Sequence, residues 1–214
     1  MELIGMLDSP YVRRVAVAML AAGVPFAHRP ISLFRHIDEF SQINPLLKVP
    51  TFVADDGTVL MDSSVILDYL ACVSPALAAL TPSAPAARLD ASRATGLALI
   101  VMEKAVQRHY ERALRPPEKR HEPWIARVDR QLTAGLEALD RELPGSGWIG
   151  GGDLGVADIS VVCAFGFTQG LLADLVDTAR YVRLAAFCAL GEELPAFRAA
   201  PARDGVTAPV ARAH

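Results

Sequence analysis

The chain has 214 residues, 52% hydrophobic and 21% charged, with a formal net charge of −3. That composition describes a globular protein long enough to bury a core, as one large domain or two small ones. No run of basic residues occurs, which argues against a nucleic-acid partner.

In chain order, Leu3-Ile4-Gly5-Met6 reads as a strand. Asp8-Ser9-Pro10-Tyr11 interrupts it, and Val12, Val15, Ala16, Met19 and Leu20 then form a helical stripe ended by Gly23. Phe26 to Leu33 is a second strand, placed at a sheet edge by Pro25 and Pro30. Phe34 to Ile43 is a weak helix or loop. Thr51-Phe52-Val53-Ala54 and Val59-Leu60-Met61 flank Asp55-Asp56-Gly57, a hairpin signal. Asp62-Ser63-Ser64 opens a helix through Val65, Ile66, Tyr69 and Leu70. The helix between the first two strands makes them parallel, and the hairpin adds antiparallel strands.

Prolines at 75, 82 and 85 mark a linker, after which no strand is expected. Arg88 to Leu114 reads as one long helix closed by Pro116-Pro117. Trp124, Val128, Leu132, Leu136, Leu139 and Leu143 mark an amphipathic helix ended by Pro144-Gly145. A core helix follows from Val156, with shorter ones between Thr178 and Ala199. The expected fold class is therefore α/β followed by all-α. The expected domains are 1–77, a βαβ-α-ββα unit, and 86–200, all helical, with 201–214 a frayed tail.

The longest apolar stretch, Ile159 to Ala173, carries Ser160, Thr168 and Gln169 and falls short of the roughly 20 residues of a membrane span. Cys72, Cys163 and Cys188 are widely separated in apolar surroundings, which reads as buried free thiols in a reducing cytosol rather than as a disulfide framework or zinc site. The N-terminus lacks a basic segment followed by an apolar block, so the expected location is cytoplasmic, with no membrane partner.

Three short segments could cap or bind. Ser9 precedes Pro10 and fits an N-cap. Lys48-Val49-Pro50 is a loop lysine and an X-Pro step entering a strand. In Asp62-Ser63-Ser64, any of the three could cap the helix, and a helix N-terminus is also a ready anion site. His109 and Tyr110 lie on the long helix, where a solvated or partly buried face is the plainer reading, and Glu192-Glu193 reads as a solvated helix face. No HExxH, phosphate-binding glycine loop or paired-cysteine motif occurs, so no metal is expected.

Four stretches taken together resemble the cytosolic glutathione transferase family. They are Ser9-Pro10-Tyr11, Asn44-Pro45-Leu46-Leu47-Lys48-Val49-Pro50, Asp62-Ser63, and Leu154-Gly155-Val156-Ala157-Asp158-Ile159. Within the family the chain is most similar to bacterial members with a Ser-Pro-aromatic start and to the plant tau class. The resemblance implies a thioredoxin-like domain followed by a helical one, assembled as a homodimer. It implies a cis Pro50, with the backbone of Val49 pairing with the cysteinyl part of glutathione. Lys48 would face the glycyl carboxylate, Ser63 would take the γ-glutamyl carboxylate, and Asp62 would help hold the ammonium group. The helix bearing His109 and Tyr110 would border the pocket for an apolar electrophile. The family's capping box is half lost, because Gly155 stands where Ser or Thr is usual and only Asp158 remains.

The resemblance casts Ser9 as the stabiliser of the glutathione thiolate, with Tyr11 second choice for that hydrogen bond. A thiol of pKa about 8.5 is only about 3% thiolate at neutral pH. Lowering that pKa by two units requires about 2.7 kcal/mol, within reach of a charge-assisted hydrogen bond plus a helix dipole. The expected activity is a glutathione transferase, glutathione being the co-substrate, acting by conjugation, isomerisation or reduction in a detoxification role. The alternative is a binding or regulatory protein of the same fold, without turnover.

Overall fold

The computed structural model describes residues 1–203 and 205–208. The chain forms two compact units, one built from Met1–Thr81 together with the chain from Glu192 onward, the other from Pro82–Gly191. No helix among the described residues is long and apolar enough to cross a membrane.

The first unit holds a four-stranded sheet in the order β2-β1-β3-β4, with β1 at Glu2–Ile4, β2 at Ala27–Arg29, β3 at Thr51–Val53 and β4 at Val59–Leu60. β1 runs parallel to β2 and antiparallel to β3, and β3 runs antiparallel to β4. The parallel pair and the hairpin are those expected from the sequence. β2 is shorter than expected because Pro30 ends it and Ile31 turns back to bond the Arg29 carbonyl. Successive strand residues face opposite sides of a sheet. Ile4 accordingly packs with Ile31 and with Phe40 of α2 (Ile37–Ile43), while Phe52 meets Tyr69 of α3 (Ser63–Val73) with ring centroids 6.2 Å apart.

Helix α1 (Pro10–Ala21) is buried on every face from Val12 to Met19. Its end is a Schellman motif: Gly23, at φ +64°, donates to the Leu20 carbonyl and Val24 donates to that of Met19. Two arginines lie within this buried span. Arg13, 2% exposed, meets both carboxylate oxygens of Glu192 at 2.6 Å, the Ala200 carbonyl at 2.7 Å and the face of Phe197. Glu192, with its side chain 40% exposed, is thus partly solvated and at the same time the counter-ion of a buried cation.

This clasp draws α9 (Pro195–Ala199) onto α1. The helical domain was expected to reach residue 200, whereas the chain rejoins the first unit at Glu192. In the tail expected to be frayed, Asp204 and residues 209–214 lie outside the described residues. Before them, Ala208 donates to the Ala199 carbonyl and Thr207 donates to His28 Nδ1 at 3.1 Å. With Nδ1 accepting, the His28 proton sits on Nε2 and is donated to the Gly5 carbonyl at 2.8 Å. Burial lowers the His28 pKa, and the bond to Gly5 opposes that shift in part.

The linker is not featureless, since Ser74 caps a short helix α4 (Pro75–Ala78). In the second unit α5 (Pro85–Ala113) packs against α6 (Glu122–Glu142) and α7 (Val156–Leu171), and α8 (Val182–Glu192) follows. Cys163 and Cys188 are buried and in no disulfide, but Cys72, on α3, is exposed. Asp158 is fully buried, and its two oxygens accept from Gly155 N–H at 2.7 Å and Ile149 N–H at 2.8 Å. The half capping box therefore also fastens the preceding loop.

Two outcomes follow from these buried charges. Replacing Arg13→Met leaves the Ala200 carbonyl unpaired and is expected to lower unfolding free energy by about 3 kcal/mol, against about 1 for Glu192→Gln, read by chemical denaturation. Burial raises the Asp158 pKa to about 6, outweighing its backbone hydrogen bonds. A carboxyl raised in the folded state binds its proton more tightly there, so its stabilising contribution is complete below about pH 4 and is lost as pH rises to about 6. Asp158→Asn should remove a stability slope on the order of 3 kcal/mol across that window, seen in denaturation midpoints measured at several pH values.

Candidate functional site

The candidate residues of the first unit gather around the N-terminal end of α1. Ser9 is the N-cap of α1 with extended backbone (φ −73°, ψ 122°), and its Oγ accepts from Val12 N–H at 3.5 Å. A cap bond that long is weak and leaves the hydroxyl's capacity largely unspent. The Ser9 proton has no acceptor among the described residues, and it lies at the positive end of a 12-residue helix. Tyr11 is half-buried in the first turn.

Gly5 sets how closely the neighbouring loop approaches. Its φ is +135°, and a Cβ there would stand 2.6 Å from Val12 Cγ2 and 3.1 Å from Val49 Cγ1. Only glycine lets β1, α1 and the Val49 loop meet at this point. The loop is held by Asn44, 1% exposed, whose side chain accepts from Leu46 N–H at 3.0 Å and donates to Thr51 Oγ1 at 2.9 Å. Thr51 Oγ1 in turn donates to the Lys48 carbonyl at 2.6 Å. Val49–Pro50 is cis. Among the described residues neither the N–H nor the C=O of Val49 is hydrogen-bonded, so one strand-like edge stands open beside α1. The Lys48 side chain is exposed.

On the other side of α1 stands the N-terminus of α3. Asp62 is its cap, accepting from Ser64 N–H at 2.8 Å through Oδ1. Ser63 is fully buried, whereas Ser64 is exposed. Arg14, 1% exposed, donates from Nη1 to Ser63 Oγ at 2.9 Å and to Ser64 Oγ at 3.0 Å. The sequence marks Ser64 only as a possible cap of α3 and does not mark Arg14 at all. The available signal was two arginines set inside an otherwise apolar helix, Val12-Arg13-Arg14-Val15-Ala16-Val17-Ala18-Met19, where no face is left for a solvated charge. His109, half-buried, and Tyr110, 41% exposed, lie on α5 in the second unit with ring centroids 6.0 Å apart.

The comparisons with known proteins bear on this arrangement. Residues 3–76 match the family model for the glutathione S-transferase N-terminal domain, and residues 122–190 match that for the C-terminal domain. The chain belongs to the glutathione S-transferase family. A solved glutathione S-transferase from Methylobacterium radiotolerans, in complex with glutathione sulfonate, is 28% identical, with a TM-score of 0.85 over 98% of this chain and 99% of that one. A glutathione transferase family member from Pseudomonas fluorescens, with bound S-(propanoic acid)-glutathione, is 31% identical with a TM-score of 0.77, over 96% of this chain and 100% of that one. Maleylacetoacetate isomerase of Pseudomonas aeruginosa is 27% identical over 70% of this chain and 72% of its own length. The thioredoxin-like N-terminal domain and the helical C-terminal domain are those of the glutathione S-transferase fold.

A methyl group at Gly5 would have to displace Val12 or Val49. Gly5→Ala should lower stability by about 2–4 kcal/mol in chemical denaturation, far beyond the effect of a methyl at an open surface glycine.

Proposed function

We propose that the protein is a glutathione-dependent enzyme that holds the thiol of glutathione as a thiolate on Ser9 and directs it at a small apolar electrophile. The observation that carries this reading is the Ser9 hydroxyl. It caps α1 through a bond of 3.5 Å, with its proton undelivered, at the positive helix end beside the unpaired backbone of Val49. A cysteinyl group extended along Val49 would take both of that residue's open backbone positions, as an added strand does. Its sulfur would then meet a hydroxyl donor and a helix N-terminus together. Pro50 shapes that edge, and Lys48 supplies an exposed cation for the glycyl carboxylate. The N-terminus of α3, with Asp62 and Ser63, receives the γ-glutamyl end. Tyr11 is the second-choice hydroxyl, and His109 and Tyr110 are candidates for the electrophile's surroundings. By analogy with the family, the enzyme acts as a cytoplasmic homodimer in detoxification.

Ser9 supplies no nucleophile of its own. The thiolate attacks an electrophilic carbon, forming the C–S bond as the leaving group departs with its electron pair. A second reading is favoured by the likeness to maleylacetoacetate isomerase. There the same thiolate would add to a double bond, allow rotation about it and leave again, so that glutathione is not consumed.

Glutathione should bind at millimolar concentration or below, and ultraviolet thiolate absorbance against pH should place the bound thiol about two units below its ordinary pKa. Ser9→Ala should return the thiol to its ordinary range and slow turnover about 100-fold, with a stability loss of no more than about 1 kcal/mol. Binding with an unshifted thiol would favour a non-catalytic protein of this fold, and no binding would refute the proposal.

A further inference from the structure

We infer that a cleft at the turn between α5 and α6 is a binding site for small planar aromatic carboxylates, with Trp124 as its wall and Lys119 and Arg115 as the charges that hold the anion. The site is built wholly within the second unit and draws on neither Ser9 nor glutathione.

The cleft has a volume of about 380 Å³ and is lined by Glu111, Arg115, Lys119, His121 and Trp124. That size suits a small organic molecule. Hydrogen bonds that cross the turn hold its frame. Arg120 donates from Nη2 to the Arg112 carbonyl at 2.7 Å and from Nε to the Arg115 carbonyl at 3.3 Å, closing the end of α5. Glu111 is buried, accepts from His121 N–H at 3.2 Å through Oε1 and meets Arg115 Nε at 2.7 Å through Oε2. Pro116 and Pro117 stiffen the connection between these anchors. A ligand entering here meets walls already in place, which lowers the ordering cost of binding.

Trp124 does not serve the core. Ile125, Val128, Leu132, Leu136 and Leu139 carry the buried stripe of α6, while Trp124, one residue off that stripe, is 39% exposed. An indole left in a concave surface offers a flat apolar face to another ring. The charges around it do not cancel. The Glu111 carboxylate is engaged by Arg115 and the His121 amide, whereas Lys119 has no carboxylate within ion-pair distance among the described residues. Nη1 and Nη2 of Arg115 donate no hydrogen bond to a described residue. Glu118 and Glu122 belong to the same segment but are not among the walls of the cleft. The complement of this surface is a ring for Trp124 and a carboxylate for Lys119 and the outer edge of Arg115. Both cations are exposed, so their pull on the anion is screened and moderate.

The test is a titration without glutathione, followed by proton magnetic resonance of the tryptophan indole N–H signals. The ligands are β-naphthoate, its neutral analogue β-naphthamide, and cyclohexanecarboxylate. The chain has two tryptophans, and Trp124→Phe assigns their signals. Added β-naphthoate should move the Trp124 signal and leave that of Trp148 in place. It should bind about tenfold more tightly than either comparison ligand, and added salt should narrow its lead over the amide. Lys119→Gln, at an exposed position, should remove most of that lead and leave the thermal midpoint unchanged. Arg115→Gln should abolish or invert it, because Glu111 then faces the ligand as an unpaired anion. Trp124→Leu should instead weaken β-naphthoate and β-naphthamide alike and keep their ratio, read by calorimetry. Equal wild-type affinity for acid and amide, an unchanged ratio in Lys119→Gln, a shift at Trp148 in place of Trp124, or no binding at millimolar β-naphthoate would each overturn the inference. Since no glutathione is present, none of these results bears on the reading of Ser9.

Discussion

The first unit depends on burying a helix that carries two adjacent positive charges. Every face of α1 from Val12 to Met19 is covered, and a guanidinium taken out of water must be given partners or the helix cannot be buried there. Arg13 and Arg14 solve this in different directions. Arg13 takes the carboxylate of Glu192 and the carbonyl of Ala200, brought back from the end of the chain, and Arg14 takes the two serines that open α3. The same helix presents Ser9 at its start. One element thus sets the position of the Ser9 hydroxyl, the α3 N-terminus and the returning chain, and it can do so only while both charges stay paired.

Around that helix the site is made mostly of backbone. The open edge of Val49 and the first turns of α1 and α3 supply donors and acceptors that need no particular side chain. Side chains enter to hold those segments still: Asn44 and Thr51 brace the loop, Gly5 admits it, and Arg14 fixes the serines. A motif such as Asn44 to Pro50 is therefore a specification of loop shape before it is a list of ligand contacts. The candidate site lies at the few positions where that shape leaves a polar group without a partner among the described residues.

The sequence made the local architecture legible. Helix periodicity, the Gly23 stop, the Asp-Gly hairpin and the proline-marked change to helices all carry short-range signals, and each corresponds to an element or boundary of the fold. The family was legible because four weak motifs fall in a fixed order. What stayed hidden depends on pairing across long separations. Glu192 carries no local sign that it pairs with Arg13, 179 positions away, while its side chain stays partly exposed. His28 carries no local sign that Thr207 will bond it. Cys72 resembles its buried counterparts in sequence because the apolar stripe of α3 does not by itself show which residues face the sheet. Ser63 and Ser64 are alike as letters, and only the fold buries one and exposes the other.

The return of the chain to α1 also bears on how the protein is made. Synthesis delivers α1 first and the segment from Glu192 last, with the whole helical unit emerging between them. Throughout that interval Arg13 lacks its carboxylate and its carbonyl, and His28 lacks the amide that its Nδ1 accepts. The thioredoxin-like unit can form its sheet early, but its last packing step waits until the segment that carries Glu192, Ala200 and Thr207 has been made. A chain cut short before residue 192 would leave the first helix incompletely covered and the Arg13 guanidinium without its carboxylate.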